Sequence, residues 1–214
     1  KDEVQVVALC DVYPPHLEAA LNLVNDHYKN QDCATNRDFR EMIGRGDLDA
    51  IMIALPDHWH AIPAIMAARA GLDIYGEKPL SHNLPEGRAM VEAVKRYGRI
   101  WQTGSWQRSR SNFHKACELV RNGRIGRVRR IEVGLGGGHP DFDGNGHRVL
   151  PEPIPEGFDY DMWLGPAPYA EYCPARVHKT WRWNLDYGGG MLLDWVGHHV
   201  DIAHWAMGYD ETGP

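Results

Sequence analysis

"LDAIMIALPDHWHAIPAIMAARAGLDIYGEKP" (48–79) is the stretch on which the fold turns. It opens with an apolar run broken only by Asp49, as a strand buried in a parallel sheet would be. HWHAIPAIMAARAG (58–71) follows, alanine-rich, several helical turns long and closed by Gly71. LDIYGEKP (72–79) then returns to a strand pattern. Strand, helix, strand at this spacing predicts a parallel pair joined by a right-handed crossover.

The same rhythm extends to both sides. Upstream, VQVVALCD (4–11) reads as a buried strand ending in an acid, PPHLEAALNLVNDH (14–27) as a helix opened by proline, and NRDFREMIGRGD (36–47) as a short helix. Downstream, LPEGRAMVEAVKRYG (84–98) reads as a helix and RIWQTGS (99–105) as a fourth strand. These elements predict a Rossmann-type parallel sheet over residues 1–105. After 105 the rhythm changes, and residues 106–214 are expected to form a second α/β domain. It begins with a helix at 112–126 and a strand at RVRRIEVGLGG (127–137). Residues 138–180, rich in Gly, Pro and aromatics, read as site-forming loops.

Composition narrows the function classes. A formal charge of −6 with no long basic run argues against nucleic acid or an anionic membrane as partner. No apolar run approaches the ~20 residues of a membrane span. The four cysteines form no CxxC pair, so reduced thiols are expected, with neither a zinc site nor a disulfide framework.

The chemistry-bearing residues cluster after the strands. Asp11 follows the first; it is placed either to bind ribose hydroxyls or to cap the next helix. Pro56, His58 and His60 follow the second, in ALPDHWHA (54–61). Two histidines with no third ligand nearby are a weak zinc signal, and contacts to a cofactor fit them better. Glu77 and Lys78 follow the third strand. Lys78 is either a donor to a substrate oxygen in a cleft or half of a weak surface pair with Glu77. In GGGMLLDWVGHHVDIAHWAMG (188–208), Asp194, His198, Asp201 and Trp205 fall within roughly 60° of one another on a helical wheel. Leu192, Leu193, Val196, Val200, Ala203 and Met207 gather opposite and are expected to be buried. Asp194 stands four residues before His198, close enough to orient its imidazole. The polar row is either a solvated face or a site; the absence of Lys and Glu and the presence of Trp205 favour a site.

Taken in order, Asp11 after ALC, PDHWHA, GEKPLS and DYGGGMLLDWVGHHVDIAHWAMG resemble the Gfo/Idh/MocA family of NAD(P)-dependent oxidoreductases. The resemblance spans essentially the whole chain. It implies a catalytic trio of Lys78, Asp194 and His198. His198 would exchange the hydroxyl proton while a hydride moves between a sugar or polyol carbon and the nicotinamide. Lys78 would steady the alkoxide, and Asp194 would fix the imidazole or bind a neighbouring hydroxyl. It implies cofactor contacts at Asp11, Pro56, His60, Glu77, Lys78 and, more weakly, Gln107. The cofactor is expected to be NAD, since the Asp11 carboxylate repels the 2′-phosphate of NADP, and no metal is expected. A largely antiparallel open-faced sheet in the second domain and a homo-oligomer at full length are likewise implied. The cell compartment stays open between cytoplasm and periplasm.

The glycine-rich turn that should precede Asp11 by about 20 residues is not in this sequence, and both ends read as cuts through a larger protein. The chain on its own is therefore expected to be marginally stable, to bind NAD poorly and to leave two strand edges unpaired. Two other functions fit the same residues. One is an NAD-dependent glycosidase working by transient oxidation and elimination; the other is a non-catalytic relic that binds a sugar or a partner.

Overall fold

The structure is a computed structural model that describes residues 4–136, 141 and 144–212. Its first half alternates strand and helix: β1 (Ala8–Cys10), α1 (Pro14–Tyr28), β2 (Ala34–Asn36), α2 (Phe39–Ile43), β3 (Ala50–Ile53), α3 (Ala61–Ala70), β4 (Asp73–Glu77), α4 (Leu84–Tyr97) and β5 (Trp101–Gly104). The second half adds α5 (Ser111–Arg121), α6 (Tyr160–Leu164) and α7 (Gly190–Met207). All the strands are parallel, as the crossovers require.

The helix boundaries follow local chemistry. Asp38 and Asn83 cap α2 and α4 by accepting the amides of Arg40 and Glu86. Gly71 ends α3 at φ 88°, a left-handed turn that a side chain would resist. Ala64, Ala67 and Ala68 are almost wholly buried, so α3 lies close against the sheet. They pack with Ile51, Ile53 and Ile74 from the strands and with Met90 and Ala93 from α4. Each fully buried Ile is worth about 1.5–3 kcal/mol of transfer free energy.

The strands form two ladders, β1–β2 and β3–β4–β5, and among the described residues none joins β1 to β3. The unpaired edges expected there are observed. A cavity of about 570 Å³ is lined from one side by Cys10 and Asp11 and from the other by Ile51 and Ile53. Its cover comes from the second half of the chain. Phe158, Tyr160, Trp163, Tyr172, Trp181 and Tyr187 form an aromatic core that packs on Val12 and Tyr13 just past β1.

Several expectations need correction. The 4–11 strand shrinks to three residues, and β2, a short polar strand, was not expected. β3 is buried on one face only: Met52 stays exposed because α3 and α4 cover just the Ile51/Ile53 side. The described part of 127–137 forms no ladder, because no neighbouring backbone pairs with it. Gly137 lies outside the described residues. No strand occurs among the described residues of the second half, so the open-faced sheet is not seen there. Two residues of α7 go against expectation, while most of the rest, on both faces, are half-buried. His198 is the one residue of this helix classed as buried, whereas Leu192 is 67% exposed. The polar row found partners in the protein, while Ala203 and Met207 line an open groove between α5 and α7. Among the described residues no helix is long and apolar enough to cross a membrane.

Candidate functional site

Lys78 stands just past the end of β4 and points across the seam between the two halves. Its Nζ donates to the Asp194 backbone carbonyl at 2.7 Å and to Asp194 Oδ1 at 2.5 Å. The lysine stem runs beside Gly197, one turn further along α7, where a Cβ would sit in ordinary contact, 3.5 Å from Lys78 Cδ. The same Asp194 oxygen faces Arg182 Nε at 3.7 Å, and the Arg182 guanidinium lies over the Trp181 ring at 4.5 Å. Lys78, Arg182 and Asp194 all line the cavity. One carboxylate thus holds two cations at its wall.

His198 shares the helix with Asp194, but the expected pairing is absent. Asp194 is turned to Lys78 and Arg182, and His198 Nδ1 has no hydrogen-bond partner. The stronger cation at short range wins the carboxylate from a neutral ring. The imidazole is 6% exposed, edge-on to Trp106 and Trp195 at 5.9 and 5.6 Å, and is not part of the cavity wall. Burial, followed by the charge of Lys78, pushes its pKa down and keeps it neutral.

At the other end of the cavity, Asp11 is not the cap of α1: the N-cap is Tyr13, and no side chain caps the helix. Oδ1 accepts the Tyr13 amide at 2.8 Å in the turn that opens α1, and Oδ2 lies 3.7 Å from His16 Nδ1. The carboxyl still lines the cavity, and burial raises its pKa. Pro56 and Glu77 are also in the wall. His60 is not: it is 2% exposed, with Nδ1 2.7 Å from the Pro79 carbonyl and Nε2 2.8 Å from the Leu55 carbonyl. Gln107 is elsewhere, beside the α5/α7 groove, with a buried Oε1 that has no partner. His58 Nε2 meets the Trp163 carbonyl at 3.1 Å, so the two histidines of this loop are committed to backbone carbonyls. Among the described residues no group of three His, Cys, Asp or Glu is placed to hold a metal ion.

Two cavity residues escaped the sequence reading. Asp57, 5% exposed, sits in a 3₁₀ turn after β3, and burial raises its pKa to about 7 against the opposing charges of Lys78 and Arg182. It was overshadowed by the adjacent histidines. Arg182 lies in the WRW triplet, where no spacing rule connects it to an acid twelve residues later. Near Asp11, the Tyr13 ring contacts His16, Phe158 and His178 at 4.8, 5.3 and 5.2 Å, closing the cavity's far end with aromatics.

The cavity brings a carboxylate at the exit of β1, Asp11, and an amine past the end of β4, Lys78, into one wall. Residues 1–105 match the oxidoreductase family's NAD-binding Rossmann fold, and residues 109–214 match its C-terminal alpha/beta domain. Myo-inositol 2-dehydrogenase of Thermotoga maritima is 27% identical over 172 residues, covering 80% of this chain and 40% of that protein. The crystal structure of myo-inositol 2-dehydrogenase from Lactobacillus plantarum superposes with a TM-score of 0.53 at 30% identity, over 59% of this chain and 36% of that one. An oxidoreductase domain protein from Kribbella flavida shares the fold over 95% of this chain and 45% of its own, with a TM-score of 0.62 at 22% identity. The chain spans about half or less of the length of these relatives. With both domains matched in order along the chain, it belongs to the Gfo/Idh/MocA oxidoreductase family.

Proposed function

We propose that the protein moves a hydride between NAD and a hydroxyl-bearing carbon of a sugar or polyol. The observation that carries this reading is the Lys78–Asp194 ion pair in the wall of a cavity whose far end holds Asp11. When bound, the nicotinamide supplies the hydride acceptor or donor. The chain's own residues then do the rest. Lys78 is held in place by Asp194 and donates to the reacting oxygen, stabilising negative charge as it develops. Asp194, shared with Arg182, fixes where that ammonium sits. His198, kept neutral by burial, is the proton acceptor that the family resemblance implies; it stands outside the cavity wall, so its ring must move towards the cavity to reach a hydroxyl there. Asp11 favours NAD, because a carboxylate meeting a 2′-phosphate is repulsive at short range.

The test is NADH formation, read by absorbance, from the whole protein with NAD and a panel of polyols and aldoses. NADH should accumulate with at least one of them. Lys78→Met should lower kcat by about 10²–10³-fold, the cost of losing one aimed donor to a developing oxyanion. Unchanged turnover in Lys78→Met would end this assignment. Glycoside cleavage without net NADH would show that the redox step is transient.

A further inference from the structure

We propose that His60 is a buried imidazolium, protonated on both ring nitrogens, that ties the exit of β3 to the loop carrying Lys78. The argument starts from hydrogen-bond inventory. Pro79 O and Leu55 O are carbonyl oxygens and can only accept. They sit 2.7 and 2.8 Å from Nδ1 and Nε2 of one ring. A neutral imidazole has a single N–H, so one nitrogen would aim its lone pair at an oxygen lone pair at bonding distance. The residue is 2% exposed, leaving little room for water to relieve that clash. Two protons satisfy both oxygens, and each bond gains from the charge.

The surroundings are mixed. Burial is the largest influence and, with the ammonium of Lys78, lowers the pKa of His60 overall; the two carbonyls and the Glu77 carboxylate pull the other way. His58, the other titratable neighbour, is itself held neutral, its pKa lowered to about 4 by burial. Geometry decides the balance. Removing a proton from His60 strands a backbone carbonyl, and the backbone must then move. Leu55 follows β3, and Pro79 is the residue after Lys78, so releasing either end loosens the segment that holds the Lys78 ammonium against Asp194. His60 is thus a positioning residue acting through Lys78, which rests on the reading that Lys78 works in this cavity.

The experiment needs neither substrate nor cofactor, so it is separate from the activity assay. Long-range proton–nitrogen correlation spectra of the ¹⁵N-labelled protein, with His60 identified by its loss in His60→Gln, report each ring nitrogen directly. Two protonated-type nitrogens at neutral pH are expected. The ring should titrate above the free value of about 6.5, with the Lys78 side-chain signals shifting in the same step. In His60→Gln, whose single amide nitrogen cannot span both carbonyls, the Lys78 signals should lose that step. A bare, pyridine-type nitrogen on His60 at pH 6 overturns the imidazolium. A Lys78 step that persists unchanged in His60→Gln overturns the positioning role.

Discussion

Replacing Asp194 with Asn tests the centre of the site. The side chains of Lys78 and Asp194 are 15% and 18% exposed, so the pair lies between the surface and buried limits. Exposed pairs contribute about 0–1 kcal/mol, and breaking a buried pair costs about 3–5 kcal/mol, so a loss of roughly 2–3 kcal/mol is expected here. Asparagine keeps the shape and one acceptor for Lys78 but removes the negative charge that faces both Lys78 and Arg182. For a chain of this size that is roughly a 5–10 °C drop in Tm. Urea melts of Asp194→Asn, Lys78→Met and the double variant close a thermodynamic cycle. The double variant should be more stable than the sum of the single losses, by roughly 1–3 kcal/mol, because its buried charge is gone along with its partner. A coupling energy near zero would mean that the pair is screened by solvent despite its 2.5 Å separation, and the electrostatic account of Lys78 would fail.

Other outcomes can be stated together. Asp57 has a folded pKa raised to about 7, so the native state holds its proton longer than the unfolded chain, and this group makes stability fall as pH rises from about 4 to 7. His58, lowered to about 4, contributes the opposite slope between about 4 and 6.5, so the two partly cancel in the parent protein. Denaturant midpoints across this range should show Asp57→Asn gaining relative stability towards pH 7; a difference from the parent that does not change with pH would refute the burial assignment. Gly165→Ala should cost more than 3 kcal/mol, estimated from overpacking plus backbone strain. Its φ is +50°, and an added Cβ would lie 2.0 Å from Trp59 Cζ2. A melt within about 1 kcal/mol of the parent would show that Trp59 can move aside.

What the sequence disclosed, and what it hid, divides along physical lines. The run from β3 to β4 was legible because its apolar strands and alanine-rich helix each satisfy a local rule. β2 was not: ATN has no periodicity and becomes a strand only because β1 offers a backbone edge. On α7 the wheel found which residues share a face but not which face turns inward. Amphipathicity separates two faces, and the partner chooses between them. Here Lys78 faced Asp194, and Trp106 and Trp195 took the imidazole, so His198 went in while Leu192, expected inside, stayed out. The pairing of Asp194 was misjudged for a related reason: helical spacing proposes His198 four residues away, and the actual partner is 116 residues distant. His60 shows a further limit, since a position after a strand cannot tell a residue that lines a cavity from one that bridges two carbonyls behind it.

The contacts across the seam between the two halves are also energetically linked. Arg37 to Gly157, His58 to Trp163 and Lys78 to Asp194 join residues 120, 105 and 116 positions apart. Closing a loop of that length costs about 4 kcal/mol beyond the constant for a short loop. The first of these contacts to form bears nearly all of that entropy, and the later ones, whose ends are already near each other, bear little. The cavity therefore has no half-built form that is stable. The wall carrying Lys78 and Asp194 thus shares a single loop-closure cost with the other contacts of the seam, and the aromatic core packed on Val12 and Tyr13 belongs to that same cooperative set.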